Sequence, residues 1–204
     1  MIHDDLLERL AAHSPSRQRD SFDRFVSSVG EASLRRDGGP EHVTASCFVF
    51  TPDFQRTLLC FHAKGRFWVQ FGGHLEPHDD TVADAALREA REESGLDDLV
   101  LLSGSIVDLD RHELNSGFAC HAHWDIGFAA VVGDQERLRV SDESEDLRWF
   151  PVEGLPATVP DGFPSRLHTA REAARALARR TRERSQADPL FSRVEPTAPP
   201  DSLA

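Results

Sequence analysis

Apolar residues recur at two different periods along this chain, and the change of period marks its elements. Leu6, Leu7 and Leu10 share one face of a predicted helix that Asp4 or Asp5 can cap, and Ser14-Pro15-Ser16 breaks it. Phe22, Phe25, Val26 and Val29 repeat helical spacing, so residues 4–36 read as helical. Arg36-Asp37-Gly38-Gly39-Pro40 has the composition of a linker. From Val43 the pattern becomes that of strands: Val43 to Phe50 is rich in β-formers and closes at Pro52-Asp53, and Thr57 to His62 follows after a short turn, which predicts a hairpin. Phe67 to Phe71 is a third short apolar run. Gly72-Gly73 then leads through a polar loop into a predicted helix over residues 81–94, which Gly95 is placed to end in a left-handed conformation. Further strands are predicted over 99–110, 119–132 and 147–150.

Residues 164–185 read as a final helix with Leu167, Ala170, Ala174 and Leu177 on its apolar side. The tail from Gln186 carries Pro189, Pro196, Pro199 and Pro200 and reads as disordered. The sequence contains no internal repeat. Strands interleaved with one central helix and a terminal helix predict an α/β sandwich with a mixed sheet. The expected organisation is an N-terminal helical extension (1–40), a core domain (41–157), a C-terminal helix packed on it (158–185) and the tail (186–204).

At 204 residues the chain is long enough to bury a sizeable core without disulfides. Its 23 basic and 35 acidic residues leave a formal net charge of -12, a field that repels polyanions and argues against strong nucleic-acid binding. A small anion can still bind where a metal ion or a basic group reverses that field locally. Cys47, Cys60 and Cys120 are widely spaced, form no CxxC pair and each sit in an apolar run, so they read as small core residues in a reducing, cytoplasmic setting. The N-terminal residues lack the basic and apolar regions of a signal peptide, and no stretch has the roughly 20 apolar residues of a membrane span.

The chemistry concentrates in Arg88-Glu89-Ala90-Arg91-Glu92-Glu93-Ser94-Gly95-Leu96. Helical spacing brings Glu89, Glu92 and Glu93 onto one face, where three carboxylates repel unless a cation neutralises them. Oxygen-only ligands suit a hard ion, Mg²⁺ or, as a substitute, Mn²⁺. An exposed charged helix is the plainer reading, but Gly72-Gly73 at a strand end, where the backbone can approach a ligand closely, argues against it. Arg88 stands four residues before Glu92 and can orient that carboxylate. Val82, Ala83, Ala86, Leu87 and Ala90 supply the contacts for packing on a sheet.

This pattern resembles the box of the Nudix family: Gly, five residues, Glu, seven residues, then Arg-Glu-apolar-any-Glu-Glu-any-Gly-apolar. Residues 88–96 match its second half in full and Gly73 matches its opening; the resemblance extends over roughly residues 42–156. The spacing from Gly73 to Arg88 is one residue longer than the pattern, so either Asp79 or Asp80 stands where the family has Glu, as in the subgroup reading GGHxEPxD. The resemblance implies an α/β/α sandwich that hydrolyses a nucleoside diphosphate linked to another moiety, or a related small diphosphate. It assigns the metal to Glu89, Glu92, Glu93 and the Gly72 carbonyl. The attacking water would lose its proton to Glu89 or to an acid in Asp142-Glu143-Ser144-Glu145-Asp146, where Glu143 is the first choice, Glu145 the second and a solvated acidic loop the plain alternative.

A second cluster is open to three readings. Strand alternation puts His121, His123 and Asp125 on one face, with Asp108, Asp110 and His112 on the preceding predicted strand. His123 and Asp125 are candidate substrate contacts; the same group could be a second metal site, or a hydrogen-bonded polar sheet face. His62, His74 and Glu76 flank the glycines, and His74 and Glu76 are candidates for substrate binding at the cleft mouth. Trp68, Trp124 and Trp149 read as core aromatics before stacking platforms. The Tyr, Pro and Arg-rich marks of the diadenosine polyphosphate, ADP-ribose and coenzyme A subfamilies are missing, so the substrate stays open. A noncatalytic nucleotide-sensing module and an isoprenoid-diphosphate isomerase-like protein are the alternatives on the same fold. The N-terminal helices are candidates for a lid or a homodimer contact.

Overall fold

The computed structural model describes residues 1–114, 120–133, 138–139 and 144–187. Its elements in chain order are α1 (Ile2–Ala12), α2 (Arg17–Val29), a short 3-10 helix (Gly30–Leu34), β1 (Glu41–Phe50), β2 (Arg56–His62), β3 (Phe67–Val69), β4 (Phe71–His74), α3 (Val82–Ser94), β5 (Asp108–Glu113), β6 (Ala122–Val131), β7 (Ser144–Pro151) and α4 (Phe163–Ala187). The architecture is an α/β/α sandwich built on a mixed, curled sheet, with helices at the N-terminus.

β1 is the hub of the sheet. One edge pairs in parallel with β6 from Glu41↔Ala122 to Phe50↔Val131, while the other is shared antiparallel between β4 and β2. β2 continues to β3 and β7, and β5 closes the far side antiparallel to β6. Because side chains alternate across the sheet, β1 serves both layers. Val43, Ala45, Cys47 and Val49 face a core shared with α1, α2 and α3, and Phe48 and Phe50 face the core under α4. The small residues of α3 (Ala83, Ala85, Ala86 and Ala90) let that helix lie close on the sheet.

Helix starts follow local chemistry. Ser16 Oγ accepts from the Arg19 N–H and Thr81 Oγ1 from the Asp84 N–H at 3.1 Å, each satisfying an orphan donor. Gly95 ends α3 with φ of 69°, its N–H donating to the Arg91 carbonyl at 2.8 Å. α1 begins at Ile2, before the expected Asp caps. Asp5 instead accepts from Arg9 Nε at 2.8 Å and from the Val82 N–H of α3 at 3.1 Å, so it ties two helices together. Leu6 and Leu10 are fully buried beneath α1. Trp124 is tied to α2 by stacking on Phe25 (centroids 4.5 Å apart) and by an edge contact with Phe22.

Two expected elements differ. The run 99–110 is not one strand: Leu101 makes an isolated bridge to Ala130 and the ladder restarts only at Asp108. The Ser103 hydroxyl accepts from the Ser105 N–H at 3.1 Å, a local turn that competes with the ladder. The apolar run from Phe67 is interrupted at Gln70, which separates β3 from β4. α4 extends to Ala187, and the tail beyond it lies outside the described residues. No helix among the described residues is long and apolar enough to cross a membrane.

Candidate active site

β4 and α3 build the site between them. Gly72 and Gly73 lie opposite Ser46 and Ala45 of β1, and the adjacent face of α3 carries the carboxylates. A methyl group added at Gly73 would come within 2.6 Å of the Glu89 carboxylate, so that side chain fills space only a glycine leaves. Gly72 is equally confined, since a methyl there would meet the Ala45 carbonyl at 2.7 Å. The Gly72 N–H donates to Glu93 Oε2 at 3.2 Å, and Glu93 is 6% exposed. Glu92 stands outward, its side chain 60% exposed.

Arg88 organises these acids. Its Nη1 donates to Glu89 at 2.8 Å and to Glu92 at 3.3 Å, its Nη2 donates to the His74 carbonyl at 3.0 Å, and Nε and Nη2 form a fork on Asp79. Asp79 also accepts from the Glu76 N–H at 2.7 Å. Burial alone would raise the Asp79 pKa, but the Arg88 hydrogen bond and charge, with the Glu76 N–H, hold it below the usual carboxylate range. Asp79, and not exposed Asp80, is therefore the acid engaged by Arg88. The guanidinium pKa is raised by Asp79 first and by Glu89 next, against burial. Three carboxylates around one guanidinium, with Glu93 beyond them on the Gly72 N–H, leave a formal excess of negative charge. Donors of oxygen alone are the kind a hard divalent cation takes.

A family model described as the NUDIX domain matches residues 40–183. The chain belongs to the Nudix family. It is accordingly a Nudix-type hydrolase acting on phosphoric anhydride bonds. Among solved structures, a Nudix-family hydrolase from Clostridium perfringens is 25% identical with a TM-score of 0.52, covering 67% of this chain and 97% of that one. Two others show the fold. The C. elegans Ap4A hydrolase in a binary complex is 18% identical with a TM-score of 0.52, covering 62% of this chain and 93% of its own. The E. coli dihydroneopterin triphosphate pyrophosphohydrolase is 18% identical with a TM-score of 0.51, covering 66% and 94%. Comparison with curated proteins returns no match.

The remaining expected residues fall into separate places on the Nudix fold. Glu143 lies outside the described residues. Glu145, on β7, is ion-paired with Arg66. Asp125 is 3% exposed and accepts from Thr44 at 3.0 Å, Ser46 at 2.8 Å, Gln70 at 3.3 Å and Arg166 at 3.1 Å. β5 does lie beside it, with Asp110 opposite Asp125 and His112 opposite His123, and Arg166 of α4 bridges Asp108, Asp110 and Asp125. This is a hydrogen-bonded polar layer under α4, and nothing in the local spacing pointed to Arg166. Burial raises the Asp108 pKa to about 6, Arg166 opposing and the two other aspartates adding to it.

His74 and His123 turn toward each other and toward His42 rather than standing on an open wall. Burial first, and neighbouring histidines next, lower His123 to about 3 and His74 to about 4. Glu76 is exposed and lines a cavity of about 800 Å³ with Leu75, Cys120, Leu34, Arg35 and Arg36. Arg36 and Asp37 belong to the stretch read as a linker; with Glu31 and the Arg35–Asp37 ion pair at 3.3 Å they give this cavity wall charges of both signs.

Proposed function

We propose that this Nudix enzyme is a divalent-cation-dependent pyrophosphohydrolase of a nucleoside diphosphate linked to another moiety, or of a related small diphosphate. The observation that carries the reading is Arg88 set between Glu89, Glu92 and Asp79, beside Gly73, whose missing side chain admits Glu89, and Gly72, whose N–H donates to Glu93. Glu89, Glu92, Glu93 and the Gly72 carbonyl would hold Mg²⁺, or Mn²⁺ in its place. Such a cation neutralises diphosphate charge and lowers the pKa of the water that attacks phosphorus.

The chain's own groups set the geometry. Arg88 fixes two of the acids and, through Asp79 and the His74 carbonyl, holds the loop after β4 against α3. That is positioning, which makes up most of phosphoryl-transfer catalysis. Glu89, or Glu143 from the acidic run 142–146, takes the proton of the water. The cavity bounded by Glu76, Arg35 and Arg36 lies within the roughly 300–1,000 Å³ typical of small-molecule sites. Arg36 on that lining is the proposed contact for an anionic substrate group, set among Glu31, Asp37 and Glu76. Glu76 remains in the proposal as a substrate contact; of His74, Glu76, His123 and Asp125 it alone is exposed. A cytoplasmic setting and a homodimer also belong to the proposal.

Release of phosphate or pyrophosphate across a panel of nucleoside diphosphate derivatives, with and without Mg²⁺, tests the reading. Mg²⁺-dependent turnover is expected, with most of it lost in folded Glu92→Gln or Glu93→Gln. Binding without turnover would favour a nucleotide sensor, and allylic rearrangement of an isoprenoid diphosphate an isomerase; either would overturn the proposal.

A further inference from the structure

Three neighbouring strands present histidines on one face of the sheet. His42 of β1 lies opposite His123 of the parallel β6, and His74 of β4 lies opposite Thr44, two residues further along β1. Alternation across the sheet puts all three on the side of Thr44 and Asp125. Cys120 stands just before β6 and completes the group. One ligand atom from each of His42, His74, Cys120 and His123 lies within 4.8 Å of all the others. The ring centroids form a nearly equilateral triangle: 5.0 Å from His42 to His74, 5.0 Å from His42 to His123 and 5.2 Å from His74 to His123.

What sets this cluster apart is its unmet hydrogen bonding. His42 is fully buried and neither of its ring nitrogens has a partner; Nε2 of His74 and Nε2 of His123 are buried and unpartnered as well. The Gly39 backbone is near enough to act on the His42 ring but does not reach hydrogen-bond geometry. A buried polar atom left without a partner costs about 1–3 kcal/mol. A histidine cluster serving only as sheet packing would satisfy these atoms, as Asp125 satisfies its own four donors two residues away. Three neutral imidazoles and a thiol supply instead the nitrogen and sulfur set that zinc prefers. The carboxylates of α3 offer oxygen alone, so the two sites differ in the metals they select.

The geometry points to a second metal site, in which His42, His74, His123 and Cys120 bind Zn²⁺ as a closed, four-ligand structural centre. Bonds of about 2.0–2.3 Å in a tetrahedron place ligand atoms roughly 3.3–3.6 Å apart, so side-chain rotations of about 1 Å close the cluster. Binding releases the Cys120 thiol proton to solvent as the thiolate takes its place on the metal. The site joins β4, β1 and the start of β6 at the strand end that carries Gly72 and Gly73. The His74 carbonyl already receives Arg88, so zinc would brace the loop that positions the α3 acids. Cys120, read from sequence as a core residue, also lines the 800 Å³ cavity, which provides the metal's route in.

The test uses the full chain, stripped with a chelator and titrated with Co²⁺ or Zn²⁺ in excess Mg²⁺ so that the carboxylate site is blocked. The wild type should take up a single equivalent of Co²⁺ with tetrahedral ligand-field bands and a thiolate-to-cobalt charge-transfer band, and Zn²⁺ should displace it and raise Tm. Cys120→Ser should lose the charge-transfer band, and His123→Asn should weaken uptake at least 10-fold, with circular dichroism checking the fold of each. No thiolate band in the wild type would overturn the proposal whatever the variants do. A band that persists in Cys120→Ser would overturn it too. Neither readout depends on hydrolysis, so failure here leaves the α3 site untouched.

Discussion

Gly73→Ala isolates the link between the glycine pair and catalysis. Gly73 has no positive φ, so alanine fits its backbone, and the damage comes only from the added methyl. That methyl would sit 2.6–2.7 Å from all three carboxyl atoms of Glu89, against an ordinary contact of 3.4 Å or more. Glu89 must therefore retreat by about 0.8 Å, and the obstacle is the far end of a flexible side chain rather than backbone. Repacking one rotamer costs about 0.5–1.5 kcal/mol, so Tm should fall only slightly. A misplacement near 1 Å at a reacting centre, by contrast, costs about 100-fold in rate, equivalent to about 2.7 kcal/mol of transition-state stabilisation. Steady-state kcat/KM for the best substrate of the panel, measured over an Mg²⁺ titration beside a thermal melt, checks this. A folded Gly73→Ala protein with wild-type kcat/KM and Mg²⁺ dependence would refute the reasoning.

Asp79→Asn should cut kcat/KM about 10-fold or more and lower stability by about 1–3 kcal/mol, because it weakens the Arg88 fork, whereas Asp80→Asn should change stability by no more than about 0.5 kcal/mol; kinetics and urea melts of the pair decide between the two. Leu10→Ala should cost about 2–5 kcal/mol if α1 is as integral to the core as its full burial indicates, and a chemical melt with a smaller loss would mean that the helix is an appendage. Asp108 has a folded-state pKa of about 6, above its ordinary value. Its contribution to stability is complete below pH 4 and is lost as pH rises through 6. The difference in Tm between wild type and Asp108→Asn should grow in the variant's favour across that window, and a flat difference would contradict the burial argument.

Local chemistry was the legible part. The α3 helix, its Thr81 start and its Gly95 stop depend on neighbours in sequence, and so do the reach of Arg88 to Glu92 one turn on and the β1–β2 hairpin. Features that depend on pairing between distant strands were not. No spacing rule joins His42, His74, Cys120 and His123, which come from three strands and a loop; alternation grouped His123 with His121 and Asp125 instead. Arg166 reaches three aspartates from a helix whose apolar face alone was readable. The ambiguity between Asp79 and Asp80 needed the path of the loop, and the Ser103 turn that splits 99–110 is a side-chain competition that hydrophobic patterning does not register.

Direct measurement of Mn²⁺ binding by electron paramagnetic resonance, on the wild type and on Glu89→Gln, Glu92→Gln and Glu93→Gln, addresses the catalytic claim at its root. The wild type should bind Mn²⁺ at a site that Mg²⁺ competes for, and each folded variant should bind it at least 10-fold more weakly. Unchanged Mn²⁺ affinity in all three variants would contradict the assignment of the cation to the α3 carboxylates.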